Sequence, residues 1–408
     1  MVQFLRHPFH GTVPDAAPQF DRRAAYAAIV LFGIVSLFGD VIYEGARSVT
    51  GPYLSLLGGT ALVVGVVAGM GEFLGYALRL VSGFVADTTR RYWALTFLGY
   101  GMLAAVPLLA IAGSWEIAAL LFVAERMGKG IRAPAKDAIL SNVTARVGRG
   151  WGFGIHECLD QIGAIIGPLI ISAAFFFRGD FRVGFALLLI PFALMMAALA
   201  VTRRRVPAPP DLEAAVAAPR QAPPMEALVP YGVFTALTMA GFVAFPLIAY
   251  HWAAAGVVHE ARIPLLYAVA MGVDAVAALA AGRAYDRIGL SVLAAAPVLG
   301  MAIPFFAFGS SFGPALAGAV LWGAVMGIQE TILRAAVADY THLSTRGRAY
   351  GIFNTVYGAA WFAGSAVLGW AYGVSLSFIL VFVVAMQGLA LLAFLYAKRR
   401  MEGAAMAG

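Results

Sequence analysis

The sequence predicts an all-α membrane protein that crosses a lipid bilayer about twelve times. Of its 408 residues, 62% are hydrophobic and only 12% are charged. A soluble domain has about a quarter of its residues charged, so this chain has too few charged side chains to cover a soluble surface. Runs of about 20 apolar residues, the length that spans the hydrocarbon, predict spans 1 to 12 at 24–45, 60–82, 93–113, 116–140, 152–176, 183–202, 228–251, 263–282, 292–310, 314–337, 350–373 and 375–397.

The basic residues predict how these spans are oriented. With a cytoplasmic N-terminus, 18 of the 28 Lys and Arg residues fall in inside segments and only four in outside segments. Because cytoplasmic loops are enriched in Lys and Arg, both termini are expected to be cytoplasmic, in a bacterial inner membrane. This anchoring explains the net charge of +7 and leaves no reason to expect nucleic-acid binding. No cleaved signal peptide is expected.

A Pro- and Ala-rich interval divides the spans into two sets of six. It cannot span a membrane and is expected to be a cytoplasmic linker. The predicted organisation is an N-terminal tail at 1–23, a six-helix bundle at 24–202, the linker at 203–227, a second six-helix bundle at 228–397 and a C-terminal tail at 398–408.

The two halves also share short motifs at matching places, which is typical of secondary transporters with a site between duplicated halves. The pairs are Gly83-x3-Asp87 with Gly282-x3-Asp286, Arg132-x4-Asp137 with Arg334-x4-Asp339, and Arg149-Gly-Trp-Gly152 with Arg348-Ala-Tyr-Gly351.

The loop after span 8 carries a motif that identifies a family resemblance. Gly282-x3-Asp286-Arg287-x-Gly289 matches the loop motif G-x3-D-R-x-G of the major facilitator superfamily, which the chain resembles over its whole length. The copy in the first half keeps Gly83, Asp87 and Arg91, while Thr88 and Arg90 replace its Arg and its last Gly. The resemblance implies two pseudo-symmetric six-helix bundles, with these loops as a conformational latch. The Gly permits a tight turn, and the Asp meets a helix N-terminus or basic groups in one of two states.

Span 5 carries Gly154-x8-Gly163-x3-Gly167-Pro168, which resembles the antiporter motif of the superfamily, although its final Gly pair is absent. Glycines on one face let two helices approach closely, and a proline bends a helix. The resemblance implies the drug:proton antiporter-like branch, and therefore export. The alternative is the small-residue packing common to membrane bundles.

Span 4 contains Arg126-x3-Gly130, which resembles the superfamily motif with a membrane-embedded arginine. In that motif the arginine is implied to lie near a proton path. Charges inside a span are costly unless they pair or face a cavity. An intramembrane role is therefore expected for Arg126, whereas Arg132 and Lys136 can also lie at the cytoplasmic end of the helix.

Spans 5 and 1 carry the acidic residues best placed for coupling. His156 and Asp160 share a helix face, and Glu157 lies beside it. They are candidates for proton transfer or substrate contact, for an ion pair with Arg126 or Arg132, or, together with Asp40, for a metal site.

In span 1, Asp40 and Glu44 lie one turn apart, and Glu44 can reach Arg47. This arrangement is either a protonatable pair or cation site, or an ion-pair cap. Glu72 and Arg79 in span 2 are further buried charges. Asp274 has no local partner and is a cavity candidate, while Glu330 and Arg334 are expected to neutralise each other.

Together these features predict proton-coupled efflux of a small organic molecule by alternating access. The alternatives are import of a sugar, peptide or siderophore, export of a divalent metal, and a membrane protein that transports nothing. No P-loop, metallohydrolase or nucleophile motif occurs, so neither an enzyme nor a cofactor is expected. The expected state is a monomer whose partners are the solute, protons and lipid.

Overall fold

The structure, a computed structural model, describes residues 22–144, 147, 149–206, 229–339 and 346–407. All secondary structure within these ranges is helical, as predicted. The predicted tail up to residue 21 and the linker residues 207–228 lie outside the described residues.

Sixteen α-helices follow one another in the described residues, and three of the predicted spans (3, 6 and 7) are each divided between two consecutive α-helices. They are α1 (Arg22–Arg47), α2 (Thr50–Leu56), α3 (Ala61–Thr89), α4 (Tyr92–Gly101), α5 (Ala105–Leu108), α6 (Trp115–Thr144), α7 (Arg149–Arg178), α8 (Phe181–Leu187), α9 (Leu189–Arg205), α10 (Val229–Ala240), α11 (Phe245–Ala254), α12 (Ile263–Ile288), α13 (Ala295–Ala307), α14 (Phe312–Asp339), α15 (Arg346–Val374) and α16 (Leu376–Ala407).

Length and hydropathy of these helices agree with twelve crossings. Nine stretches of the described chain are long and apolar enough to cross a membrane, and one of them, Glu260–Ala307, contains both span 8 and span 9. Two more helices have the required length: α6 with 30 residues and α15 with 29. Charged residues, several of them buried, interrupt the apolar pattern of α6, so hydropathy alone understates its burial.

A helix break lies at or after the first span of each bundle. Span 1 lies within α1, and a break separates α1 from α2; span 7 itself breaks between α10 and α11. Breaks in a membrane helix are tolerated where the freed backbone groups find partners. At the second break the Val243 carbonyl accepts a hydrogen bond from the Trp322 indole at 2.9 Å. Pro246 lies in the first turn of α11, where a missing N–H leaves no helical hydrogen bond unmade.

The buried apolar residues form two clusters that follow the two bundles. One consists of residues from α1 to α9 with Val206, and the other consists almost entirely of residues from α10 to α16. Glycines allow the bundles to approach each other closely between α3 and α15. A Cβ at Gly65 would overlap the Ser365 carbonyl oxygen, and one at Gly69 would lie 2.8 Å from the Phe362 Cα.

The two ends of the bundle differ. We call the end at which α1 begins the N-terminal face and the other end the opposite face. At the opposite face, α2 packs on α11 so closely that a Cβ at Gly51 would overlap the Pro246 carbonyl oxygen. There the Ser172 hydroxyl also donates to the Ala261 carbonyl at 2.6 Å. We call these contacts of α2 with α11 the seal, because they close this end.

Candidate functional site

A cavity of about 420 Å³ lies between the two bundles and extends toward the N-terminal face. Its lining runs from Arg47 in the interior to Asp137, which is exposed near the end of α6. Thirteen of its 23 lining residues are Asp, Glu, Lys or Arg. In a chain with 12% charged residues, this concentration of intramembrane charge marks the functional site.

Most of the residues predicted for coupling line this cavity. They are Asp40, Glu44, Arg47, Arg126, His156, Glu157, Asp160, Asp274 and Glu330. Arg132 is 5% exposed and faces α4, where its guanidinium lies 4.8 Å from the centre of the Tyr100 ring. The side chain of Arg334 lies outside the described residues, so its predicted pairing with Glu330 stays a prediction.

A network of ion pairs forms the interior end of the cavity. The Glu72 carboxylate lies 3.0 Å from Arg126 Nη1 and 3.4 Å from Arg47 Nη2. Arg126 Nε is also 3.4 Å from Glu125, and Arg47 Nη1 is 3.9 Å from Glu44, as the sequence predicted for that pair. Since α1, α3 and α6 each contribute, the network fixes three helices of the first bundle to one another.

Tyr43 lies at the centre of this network. Its hydroxyl accepts hydrogen bonds from Arg47 at 3.2 Å and from Arg126. The Arg126 guanidinium and the Lys129 ammonium lie 4.2 and 4.0 Å from the centre of its ring. Such cation–π contacts stabilise cations that have left water. Lys129 forms no salt bridge with any residue in the described part of the chain.

A second, smaller space of about 30 Å³ lies beyond the network, on the side of the seal. It has room for about one water molecule. Its lining shares Tyr43, Arg47, Glu72 and Arg126 with the large cavity and adds residues such as Trp361. The network therefore separates the large cavity from the closed end of the molecule.

Two contacts link this network to the second bundle. The Tyr267 hydroxyl of α12 donates a hydrogen bond to the Glu44 carboxylate of α1. The Arg47 guanidinium lies 5.9 Å from the centre of the Trp322 ring of α14. A change in the charge of Glu44 would therefore act directly on the contact between the bundles.

The acidic residues of α7 form a cluster on another wall of the cavity. His156 is 4% exposed, and its Nε2 lies 2.8 Å from the Ser36 hydroxyl of α1. One ligand atom from each of His156, Glu157 and Asp160 lies within 4.8 Å of the other two, so these residues could hold a divalent metal. Within the described ranges, neither acid pairs with Arg126 or Arg132.

The second bundle contributes four residues to the described cavity lining: Met271, Asp274, Met326 and Glu330. Asp274 is 6% exposed, and its buried Oδ1 has no hydrogen-bond partner among the residues that the structure describes. An unsatisfied buried carboxylate oxygen is costly and calls for a partner. Asp274 is therefore available to a bound solute or ion.

The residues of the predicted latch loops lie at the N-terminal face, but most of them are helical. Gly83 and Asp87 belong to α3, and Gly282, Asp286 and Arg287 belong to α12, so the prediction of a tight turn at Gly83 and Gly282 is wrong. Asp87, Arg91, Asp286 and Arg287 are exposed there, and Gly83 and Gly282 are partly buried. Asp87 accepts a hydrogen bond from the Tyr92 hydroxyl at 3.1 Å. The latch function of these loops stays a prediction.

The structure gives a reason for the last glycine of the loop motif. Gly289 has a φ of 60°, and Arg90, at the matching place in the first half, has a φ of 55°. Each of the two chain segments therefore has a residue with positive φ directly after the helix end, a conformation that favours glycine.

The glycines of the span 5 motif position α7 against α1. A Cβ at Gly163 would overlap the Leu37 carbonyl oxygen, and one at Gly167 would overlap that of Val41. Pro168 lies inside α7. The surroundings of Gly154 are outside the described residues. The motif thus brings Asp40 and Glu44 of α1 beside the acids of α7.

Sequence reasoning noted Glu72 only as a buried charge and did not assign it, Lys129 or Tyr267 to the site. Glu72 lies 25 residues from Arg47 and 54 from Arg126, so no local spacing connects them. An acid in the middle of an apolar span was the available signal.

Comparisons with known proteins agree with this architecture. Residues 36–258 match the sequence profile of the Major Facilitator Superfamily. Uncharacterized proteins of Mycobacterium tuberculosis and Mycobacterium bovis are 43% identical over 376 residues, which cover 90% of this chain and 92% of each relative. An uncharacterized MFS-type transporter of Methanocaldococcus jannaschii is 33% identical over 143 residues, 35% of this chain and 36% of that protein.

Solved transporters share the fold at low sequence identity. A mutant of the nucleoside transporter NupG has a TM-score of 0.73 and 13% identity, with 91% of this chain and 99% of that chain covered. The peptide transporter POT in complex with sulfate has a TM-score of 0.71 and 14% identity, with 92% and 95% covered. With its profile match, its twelve predicted crossings and its charged cavity between two bundles, this chain belongs to the Major Facilitator Superfamily of membrane transporters.

Proposed function

We propose that the protein is a proton-coupled secondary active transporter that exports a small organic molecule by alternating access. The observation that carries this proposal is the cavity between the bundles, lined by eight carboxylates and five basic side chains. Secondary transporters of this kind bind solute and ion near the membrane midplane, between the two repeats.

The seal supports alternating access. The cavity is closed at the opposite face by α2 and α11 and extends toward the N-terminal face. Transport requires a second state in which the seal opens and the N-terminal face closes. If both termini are cytoplasmic, as the basic residues predict, this state faces inward. A structure of a bacterial homolog of the human lysosomal transporter Spinster, described as inward-facing and occupied, has a TM-score of 0.68 and 14% identity over 93% of this chain.

Carboxylates at the contact between the bundles support proton coupling. Glu44 bonds to Tyr267 across the interface, and Glu157 and Asp160 line the cavity without a salt bridge in the described ranges. Protonation of any of these groups removes a charge from the wall and so changes the relative energy of the two states. Arg126, paired with Glu72 and Glu125, lines the same cavity as these acids.

The direction of transport rests on the span 5 motif. Gly163 and Gly167 adopt the close packing against α1 that such a motif serves. Its resemblance to the antiporter motif favours export over import. Import of a small solute is the alternative, and the nucleoside and peptide transporters that share the fold show that the fold serves other organic solutes.

The experiment begins with a drug- and metal-sensitivity screen of a deletion strain, followed by transport of the best compound into proteoliposomes. A pH gradient should drive accumulation by the wild-type protein. Glu157→Gln and Asp160→Asn should abolish this accumulation while downhill exchange continues. Asp180→Asn is the matched control, since Asp180 lies outside the cavity, before α8. If accumulation does not depend on pH in any variant, the proton-coupling proposal is wrong.

A second candidate function is divalent-metal export, favoured by the ligand geometry of His156, Glu157 and Asp160. Proteoliposomes containing a metal-sensitive dye would report movement of Mn²⁺ and Zn²⁺. Metal movement that His156→Ala abolishes and Asp180→Asn leaves intact would favour this candidate. Equal movement into empty vesicles would rule it out.

A further inference from the structure

The basic groups of the large cavity all lie on one bundle, whereas its carboxylates lie on both. All five basic lining residues come from the first bundle: Arg47, Arg79, Arg126, Lys129 and Lys136. The second bundle contributes Asp274 and Glu330 and, among the residues that the structure describes, no basic side chain. The first bundle also contributes six of the eight carboxylates. A solute between the bundles therefore meets cations and carboxylates on the first bundle and, among the described residues, only carboxylates as charged groups on the second.

Within the first bundle, the two arginines at the interior end of the cavity have the geometry of an oxyanion site. Arg47 and Arg126 approach the same Glu72 oxygen, at 3.4 and 3.0 Å. Two guanidiniums that converge on one carboxylate oxygen can also bind the carboxylate or phosphate of a solute, because the planar guanidinium matches both. Lys129, held over the Tyr43 ring without a salt bridge in the described ranges, is a third cation for the same anion.

The second bundle contributes a hydrogen-bond acceptor that has no donor in the described part of the chain. The Oδ1 atom of Asp274 is buried and has no hydrogen-bond partner in the described part of the chain, and the residue is 6% exposed. Glu330 lines the same wall. A buried carboxylate is satisfied by a charged donor such as an ammonium group.

We propose that the transported solute is a small zwitterion with an oxyanion and an ammonium group. The oxyanion displaces Glu72 from Arg47 and Arg126, and the ammonium binds Asp274. The volume of about 420 Å³ lies in the lower part of the range for small-molecule sites, about 300–1,000 Å³. This inference rests on the proposed transport function and specifies its substrate class.

The two ends of such a solute bind different bundles. The oxyanion binds α1 and α6, and the ammonium binds α12. A solute that bridges the bundles contacts both ends of its site only when the two bundles are close together. It therefore binds that conformation more tightly than one in which the bundles are apart. Binding can then shift the equilibrium between conformations, which needs a difference in affinity between them.

The test uses matched probes on the full-length protein in proteoliposomes that contain a pH-sensitive dye. The first set is leucine, 4-methylpentanoate, which lacks the ammonium, and isoamylamine, which lacks the carboxylate. The second set is O-phosphoethanolamine, ethyl phosphate and ethylamine, and it distinguishes phosphate from carboxylate. Ethidium serves as the amphipathic cation. In at least one set the zwitterion should cause proton flux about tenfold faster than either truncated compound, since each charge-assisted hydrogen bond contributes at least that factor.

Two other outcomes would overturn the inference. If ethidium alone causes proton flux, the proposed efflux function stands but the zwitterion inference is wrong. If truncated compounds match their zwitterions, or if no probe causes flux, the inference is also wrong, and the strain screen decides the proposed function separately.

Variants assign the two ends of the solute. Asp274→Asn should reduce flux with the responding zwitterion about tenfold, mainly through KM, and should leave flux with the truncated anion unchanged. Arg126→Gln should reduce the flux with the zwitterion and the flux with the truncated anion, and Asp180→Asn should change neither flux. Size-exclusion chromatography identifies a misfolded variant, in which case Glu330→Gln serves as the second test of the acidic wall. Equal loss for zwitterion and truncated anion in both acidic variants would contradict the assignment.

Discussion

The substitution Gly51→Ala tests whether the seal holds the protein in the observed state. Gly51 of α2 lies against α11, and a Cβ there would overlap the Pro246 carbonyl oxygen and lie 2.8 Å from the Tyr250 nitrogen. Both obstacles are backbone atoms, so no side-chain rotation relieves the overlap. The two helices must therefore separate, and they belong to different bundles.

The expected change in the equilibrium between open and closed seal follows from the cost of overpacking, which is about 1–3 kcal/mol for an added methyl group in a close-packed contact. That cost applies only to the state in which the seal is closed. At 25 °C it raises the ratio of open to closed seal by about 5- to 160-fold, because each 1.4 kcal/mol changes an equilibrium constant tenfold.

A buried cysteine reports this ratio. Ala244 is 3% exposed beside the seal, so Ala244→Cys should react with a maleimide only after the seal opens. The single native cysteine, Cys158, is exposed and is first changed to Ser. As long as the open state is the minor one, the reaction rate is proportional to its population, and Gly51→Ala should increase the rate by the factor above.

Gly101→Ala is the matched control, since a Cβ at Gly101 has nothing within 4 Å. Its labelling rate should equal that of the parent. A Gly51→Ala protein that is folded and reacts at the parent rate would refute the reasoning, because the closed seal would then accommodate a methyl group at position 51.

Three further substitutions test the packing and the charge network. Gly167→Ala should lower the free energy of unfolding by about 1–3 kcal/mol, because its methyl group would overlap the Val41 carbonyl oxygen. Thermal unfolding in detergent measures this loss, and Gly373→Ala, with open space around its Cβ, is the control that should show none. Equal unfolding midpoints for the two variants would contradict the packing account. Glu72→Gln should lower the free energy of unfolding by about 3–5 kcal/mol, since it leaves two buried guanidinium groups without their shared carboxylate. Arg126→Gln should then lower that free energy less in the Glu72→Gln protein than in the wild-type protein. Strictly additive losses would show that Glu72 and Arg126 do not interact. Tyr267→Phe removes a bond between the bundles and should increase labelling of the Ala244→Cys reporter about tenfold; an unchanged rate would mean that this bond does not favour the closed seal.

Local sequence patterns predicted individual elements well where the cause is local. Apolar runs of about 20 residues predicted the spans because hydrocarbon thickness fixes the length of a crossing helix. The pairing of Glu44 with Arg47 was predicted because residues three apart on a helix are neighbours, and the structure gives a distance of 3.9 Å. The glycines of span 5 pack closely against α1, as their motif implies, whereas the predicted loop residues Gly83 and Gly282 lie inside helices.

The same reasoning was less informative where partners are distant in sequence. Arg132 was a coupling candidate beside Arg126, with a position at the cytoplasmic end of the helix as its alternative, and it faces the Tyr100 ring and not the cavity. A helix turns by 100° per residue, so six residues separate two charges by less than two turns but by a large angle. Which of them faces the cavity depends on where neighbouring helices pack, and no local pattern encodes that.

By itself the sequence determined the class, the number of crossings and the family, because hydrophobic length and motif spacing are properties of contiguous residues. Only the tertiary structure decided that Glu72 joins Arg47 to Arg126, that Tyr267 bonds to Glu44 across the bundles, and that Asp274 lines the same cavity as the two arginines. Each of these depends on helices that are far apart in the chain. Their charges combine into one site because burial in a membrane makes an unpaired charge costly and brings together those that can pair or share a cavity.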